Sequence, residues 1–333
     1  MKKTLIALAA VAASSAALAQ SSVTLFGIMD VNVRHTSTEI GGAKTSLTEM
    51  AQDGTASSRL GFRGVEDLGG GMSASFWLEG ALNPDTGTAG GLSFQRRSTV
   101  SLSGGFGEVR LGRDYVPTFW NHTVYDPFGT NGLGSSINMW GTVTGGAIAT
   151  NVRSNNMISY FTPNMGGFQA QLSYGFKEVD TGTSPSDYQG LRLVYAAGPL
   201  SVAFATASEG NVGAADSRRS NIGASYDFGF IKPMFNYTTA KEKVTDDKAT
   251  NLMIGLTAPV GPGLIKASYT RTEAEDATGA EADGNQIALG YEYGLSKRTA
   301  LYGNVARIKA DAGLLNAAEY KRTGFELGIR HAF

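Results

Sequence analysis

Three histidines and no cysteine limit the chemistry open to this 333-residue chain. The absence of Cys removes thiolate nucleophiles, thiolate metal sites and disulfide frameworks. His35, His122 and His331 are scattered along the sequence. His122 lies near Asp126, a spacing that could mimic a base–carboxylate pair, but no nucleophile with a supporting motif accompanies it. Acidic residues cluster at Asp246-Asp247 and at Glu273, Glu275, Asp276, Glu281 and Asp283. Oxygen-rich loops can bind Ca²⁺, yet these lack the ordered spacing of an EF-hand and read as solvated loops. Neither a metal nor a cofactor is expected. With 28 basic and 29 acidic residues, the balance is not that of a nucleic-acid-binding protein.

The N-terminus carries a different signal. Met1-Lys2-Lys3 precedes an Ala-rich apolar run from Leu5 to Leu18, which ends in Ala17-Leu18-Ala19 before Gln20. A basic start, a short apolar stretch and a small-x-small site predict a cleaved secretory signal over residues 1–19 and one domain over 20–333. The run is shorter than the roughly 20 apolar residues a spanning helix needs. Removing Lys2 and Lys3 takes the formal charge from −1 to about −3. The mean hydropathy is slightly negative, and no later segment is apolar enough to cross a bilayer as a helix. An exported chain of this kind that lives in a membrane must close into a barrel, where every backbone group finds a partner. Forty-four Gly, nine Pro, 16 Phe and 13 Tyr suit many strands joined by Gly-rich turns.

The dominant sequence period is two. Phe325, Leu327, Ile329, His331 and Phe333 share one parity, opposite Glu326 and Arg330. Ile287, Leu289, Tyr291 and Tyr293 repeat the pattern, as do Ala74, Phe76 and Leu78 against Ser73, Ser75 and Glu79. Alternation puts one set of side chains on each face of a sheet. From Ser22 onward sixteen strands are predicted, and their joints alternate between short and long. The short joints are 66–70, 104–106, 163–166, 197–199, the neighbourhood of Gly229, 259–262 and 294–297. The long ones are 36–56, 82–92, 114–153, 178–186, 209–218, 241–248, 274–284 and 309–320. Tight turns on one side and long loops on the other mark a transmembrane barrel, and an even strand count returns both termini to one side. A secreted β-sandwich adhesin would share the signal and the strands but not this alternation of joints. Tyr160-Phe161, Tyr195, Tyr226, Phe228, Tyr291 and Tyr293 flank several turns, as an interfacial aromatic girdle requires.

One connection, about 114–153, is far longer than the rest. It holds Trp120, Tyr125, Asp126, Phe128 and Trp140, and is too aromatic and too poor in charge to read as disordered. Inside a barrel its natural place is the lumen.

Assembled in order, these residues resemble the Gram-negative general porins, and most closely the anion-selective trimeric porins of the betaproteobacterial type. The resemblance runs from Met1 to Phe333. Its specific stretches are Ser21 to Gly27, Ser58 to Gly64 with Glu66 to Gly69, Arg96 to Leu102, Phe106 to Arg113 and the terminal Gly328 to Phe333. It implies an all-β fold: a 16-stranded antiparallel transmembrane β-barrel with the 114–153 loop folded inward as a constriction. It further implies a homotrimer in an outer membrane of lipid and lipopolysaccharide, passing small anions and small hydrophilic solutes. Phe333 resembles the aromatic end residue read by the barrel-assembly machinery. An outer-membrane hydrolase is the alternative class, beside the adhesin.

Three positions match the basic cluster that such porins place opposite the constriction loop: Arg59, Arg96 and Arg153. A pore narrow enough to strip hydration must offer replacement charge, and rings of Arg favour anions. Arg keeps its charge at any relevant pH. Parity independently puts Arg59 on the lumen side with Arg63, and it also suggests the lumen for Arg153. For the adjacent pair the two criteria differ: the resemblance favours Arg96, and simple alternation favours Arg97 unless a bend re-aims the first. Glu79 is expected beside the cluster as a lumen carboxylate that holds an arginine in place. Gln95 stands where similar proteins carry a further basic residue, so anion preference is expected to be weaker here.

Overall fold

Side chains that alternate between apolar and polar produce strands with two unlike faces, which closure of the sheet sorts into an outside and an inside. The computed structural model describes residues 22–88, 93–144, 152–177, 187–210, 216–311 and 318–333; the expected signal lies outside them. The described strand segments are β1 (Ser22–Ile40), β2 (Ala43–Gln52), β3 (Arg59–Gly69), β4 (Met72–Ala81), β5 (Arg97–Gly104) and β6 (Gly107–Tyr115). They continue with β7 (Arg153–Phe161), β8 (Phe168–Gly175), β9 (Tyr188–Ala197), β10 (Leu200–Glu209), β11 (Ser217–Tyr226) and β12 (Lys232–Glu242). The last are β13 (Lys248–Val260), β14 (Gly263–Glu275), β15 (Glu281–Gly294), β16 (Thr299–Ala310) and β17 (Tyr320–Ala332).

Successive segments other than β2 and β3 pair antiparallel, and β17 returns to β1 in the register Val31↔Ile329, which closes the barrel. Seventeen segments make sixteen staves. β2 pairs with the upper part of β1 (Val31↔Gln52) and β3 with its lower part (Ile28↔Arg59), so β2 and β3 are one stave interrupted by residues 53–58. The expected long loop over 36–56 is therefore corrected. β1 runs to Ile40, turns at Gly41-Gly42 and comes back as β2. Both glycines have positive φ (56° and 86°), the conformation a two-residue hairpin turn of matching twist needs. The seven predicted short joints all fall at tight turns between staves. The expected loop over 178–186 lies outside the described residues.

The outside is apolar. Val33, Val100, Leu102, Ile158, Leu172, Leu193, Ile254, Ile287, Leu327 and Ile329 are exposed on strands. The side chains between them on these strands turn inward, where Asn236, Thr238, Asn251, Thr270, Gln286 and Asn304 are buried. Beside the tight turns, Phe168 packs on Tyr195 and Tyr226 on Phe228, with centroids 4.5 Å apart in each pair. Tyr160 and Tyr291 donate their hydroxyls to the backbone oxygens of Phe106 and Val260 (2.7 and 3.0 Å). Such rings, apolar in body and polar at the tip, form the girdle expected at a membrane interface.

The connection between β6 and β7 follows the fifth stave and fills part of the interior. It contains α1 (Pro117–Val124) and α2 (Ile137–Thr144). α1 packs against β8 to β11 and α2 against β14 to β16. What seats α2 is legible in the wall: Ala240, Ala249, Ala274, Ala282 and Ala310 occupy inward positions and leave room for Met139, Trp140 and Val143. Phe128 and Leu133 insert in the same way against Ala288 and Ala306.

Candidate functional site

The wall facing this loop is cationic. β3 supplies Arg59, β4 supplies Trp77 and Glu79, β5 opens with Arg97, and β6 supplies Arg110, Asp114 and Tyr115. Together with Arg96, Trp120, Phe161 and Gln171 these residues line one cavity of about 350 Å³. Four guanidinium groups there meet two carboxylates, so the cavity carries a surplus of positive charge.

Each arginine is held in place. Arg96 Nε donates to Glu79 Oε1 at 2.7 Å, and Arg96 Nη2 to the Tyr115 hydroxyl at 3.4 Å. Trp77 Nε1 donates to the other Glu79 oxygen at 3.1 Å, and Arg59 Nε lies 3.9 Å from Oε1. Glu79 thus anchors Arg96 and the edge of Trp77, with Arg59 at the margin of ion-pair reach. Arg97 Nε donates to Thr99 Oγ1 (3.1 Å) and lies 3.4 Å from Asp114, whose same oxygen accepts from Arg110 Nη1 at 2.7 Å. Aromatic faces carry the guanidinium planes: Arg97 and Arg63 over Trp77 (4.6 and 5.2 Å), Arg110 over Phe161 and Arg153 over Tyr115 (both 4.4 Å). Such contacts fix a cation without cancelling its charge. Arg153 has no carboxylate at ion-pair distance among the described residues, and its Nε has no hydrogen-bond partner.

The loop offers no opposing charge to this wall. Asp126 is the one acidic residue between Val116 and Thr144. It is buried, accepting from the amides of Phe128 (2.8 Å) and Ser136 (3.0 Å) and from Ser136 Oγ (2.6 Å). Burial pushes its carboxyl up from the ordinary range, against the pull of these donors. His122 lies between Ser136 Oγ (2.8 Å) and Thr238 Oγ1 (3.2 Å), and burial, aided by the Arg219 charge, lowers it to about 4. The trio His122–Ser136–Asp126 is not a nucleophile relay. The serine stands between base and acid and is fully buried, whereas a relay needs the base in the middle and the hydroxyl open to substrate.

A second network fixes the tip of the loop. Asp30 accepts from the amides of Gly54, Thr55 and Ala56 (3.1, 2.9 and 2.8 Å) and from the Tyr302 hydroxyl, which holds the 53–58 insertion against the wall. Ser57 Oγ then donates to Asn131 Oδ1 in the loop at 3.1 Å. Glu326, fully buried, accepts from the Leu133 amide (3.2 Å), Asn304 Nδ2 (2.9 Å) and Arg34 Nε (2.9 Å).

The sequence-predicted residues Arg59, Arg96, Arg97 and Glu79 converge on the one cavity. Arg153 stands beside it over Tyr115, and Arg63 below it over Trp77. Arg96 and Arg97 need not be ranked. Arg96 precedes β5 in a bend, so two consecutive residues reach the same space. Trp120 lines the cavity, whereas Phe128 and Asp126 are buried supports of the loop. Phe333 closes the seam: its amide and carbonyl exchange hydrogen bonds with Gly27, both 3.0 Å. Sequence reading missed Arg110, Asp114 and Tyr115 as site residues; parity opposite Val109 and Leu111 was the available signal for Arg110. The acidic loop residues meet cations of their own: Glu275 faces Lys248 (3.6 Å), and Arg271 reaches Glu273 (2.9 Å) and Asp283 (3.0 Å).

Comparison with known proteins agrees with this fold. A family model described as Gram-negative porin matches residues 4–313. The chain is 46% identical to outer membrane porin protein 32 of Delftia acidovorans and 30% identical to an outer membrane porin protein of Bordetella pertussis, with both chains covered in full in each case. Among solved structures, the anion-selective porin from Comamonas acidovorans superposes with a TM-score of 0.80 at 43% identity, over 94% of this chain and all of the other. The chain therefore belongs to the Gram-negative porin family and is an outer-membrane β-barrel.

Proposed function

We propose that the barrel is a water-filled diffusion channel that prefers small anions, and that Arg59, Arg96, Arg97 and Arg153 supply the preference. The carrying observation is an imbalance of charge across the narrowing. With Arg153 beside it, the wall holds five guanidinium groups against three carboxylates, Glu79, Asp114 and the Glu108 that pairs with Arg110, while the single carboxyl of the facing loop is buried. A passing anion is attracted on one side and meets no accessible acid on the other; a cation is repelled. The similarity to the anion-selective porin from Comamonas acidovorans supports this reading. The same reading includes export under a signal over residues 1–19, a homotrimer in lipid and lipopolysaccharide, and use of Phe333 by the barrel-assembly machinery.

Planar-bilayer recording under a KCl gradient tests the proposal. Stepwise currents with a reversal potential on the chloride side are expected. A reversal potential on the potassium side, or no stepwise current, overturns it.

A further inference from the structure

Helix α1 is amphipathic the wrong way round for a helix lying in water. The side packed on the wall is largely polar, with Phe119 buried against Met157 and Tyr188 as its apolar member. Thr118 Oγ1 donates to Glu209 Oε1 at 2.9 Å, Asn121 Nδ2 to Asn221 Oδ1 at 2.9 Å, and His122 sits between two hydroxyls. Two apolar residues face away: Trp120 and Val124, one turn apart, remain 41% and 40% exposed. The strand walls bury amides and hydroxyls at many inward positions, so an open indole face beside an arginine wall is an anomaly. Nor does Trp120 serve as a rest for a guanidinium. Trp77, Tyr115 and Phe161 each lie under an arginine; no such contact forms on Trp120 among the described residues, where its ring neighbour is Tyr115 at 5.6 Å.

The cavity of about 350 Å³ is thus two-sided, with Trp120 on the loop and Arg59, Arg96, Arg97 and Arg110 on the barrel. Its size suits a single small organic molecule. Hydrated inorganic ions have no use for the indole. A planar ring bearing one carboxylate uses both sides: the ring stacks on Trp120 while the carboxylate takes paired N–H donors from the guanidinium wall. We propose that the constriction is a binding site for aromatic carboxylates of the benzoate class, with Trp120 as the specificity-determining residue. This rests on the anion-preferring reading above and adds the chemical class of the preferred solute.

The test uses the full-length purified channel in planar bilayers, with chloride current recorded while benzoate, cyclohexanecarboxylate or acetate is added. The three acids share one charge; the second keeps the apolar bulk without a π face, and the third has neither. Benzoate is expected to interrupt the chloride current at concentrations about three- to tenfold below cyclohexanecarboxylate, as an aromatic pair predicts, with acetate weaker still. Trp120→Leu should erase the difference between benzoate and cyclohexanecarboxylate, and Trp120→Phe should restore part of it. Equal effects of the two ring acids on the unaltered channel, or a difference that survives Trp120→Leu, would overturn the inference. The comparison of acids on the unaltered channel decides the matter even where a variant fails to assemble. The reversal potential of that same channel separates the two ideas: chloride preference without discrimination between the ring acids sinks only this inference, whereas potassium preference sinks the reading beneath it.

Discussion

Arg153 is the cation of the cluster with the least compensation, and its removal gives the sharpest measure of what one charge does. Arg96 is locked to Glu79, so Arg96→Gln would uncover a carboxylate as well as delete a cation. Arg153 leans on Tyr115 and faces no acid at ion-pair distance among the described residues, so Arg153→Gln subtracts one charge and little else. A unit charge about 4 Å from a passing ion is worth about 1 kcal/mol in water. Screening at 0.1 M salt, with a Debye length of about 10 Å, leaves about two-thirds of that. The charge favours chloride and disfavours potassium by similar amounts, so the permeability ratio changes by about 1.3 kcal/mol, close to tenfold. At 1 M salt the Debye length shrinks to about 3 Å, about a quarter of the interaction survives, and the same substitution moves the ratio by only about two- to threefold. Reversal potentials at the two ionic strengths measure both numbers on one preparation. Adding Arg59→Ser should reduce the ratio further by a similar factor. An Arg153→Gln channel with an unaltered ratio at 0.1 M, or an effect of equal size at both salts, would refute the claim that this wall filters ions by its charge.

Three further outcomes are expected. His122 is lowered from an ordinary 6.5 to about 4, so the unfolded chain takes up a proton that the folded one refuses between those values. Stability therefore falls as pH drops from about 6.5 toward 4, by up to about 3 kcal/mol, and urea unfolding in detergent should show a shallower loss for His122→Asn. Asp126, raised by burial, works in the opposite sense as pH falls, so the difference between the parent and His122→Asn isolates the histidine's share. Glu326→Gln weakens the bonds to Leu133 and Arg34 that hold the loop tip, and single-channel records should show more open-state noise at nearly unchanged chloride preference; a quiet record argues against the latch. Leu327→Arg puts a charge on the outward face, where the leucine is 64% exposed, and should cost about 2–4 kcal/mol in folding into lipid vesicles if that position lies near the bilayer midplane. The same folding in a bilayer-free detergent should be far less affected.

The staves were legible because lipid imposes a simple rule on them. Every second residue from Phe325 to Phe333 meets the outside, and the tight turns are punctuated by Gly and Pro, so both rhythm and joints survive in a single sequence. The rule lapses outside the lipid. Beyond Val33 in β1 and along β2 apolar and polar residues no longer alternate, so Thr36 to Met50 read as a loop although the Gly41-Gly42 turn carried a hairpin signal. Parity and resemblance pointed to different members of the Arg96–Arg97 pair for a related reason. Parity assumes the strand continues, whereas β5 begins only at Arg97, and the bend before it frees Arg96 to turn inward as well.

The interior obeys neither the soluble rule nor its simple inverse. The barrel wall is polar inside, so a loop that docks there is held by hydrogen bonds in some places and by apolar insertion in others. Where the wall carries alanines, Met139, Trp140 and Phe128 supply the contact. Where it carries Glu209, Asn221 and Thr238, the loop answers with Thr118, Asn121 and His122. The helix α1 consequently spends Phe119 and its polar residues on the wall, and what remains exposed on it is Trp120 and Val124. No periodicity in the sequence announces this, because the pairing between loop and wall spans about 80 to 120 positions of chain. The consequence is functional: the same docking that fixes the width of the constriction also decides that one of its faces is apolar, while the opposite face keeps a surplus of guanidinium groups, held by a few carboxylates and by aromatic rings together. Width, charge and apolar surface are therefore set together, and a substitution that loosens the docking of α1 should alter all three at once, where one in the arginine wall alters charge alone.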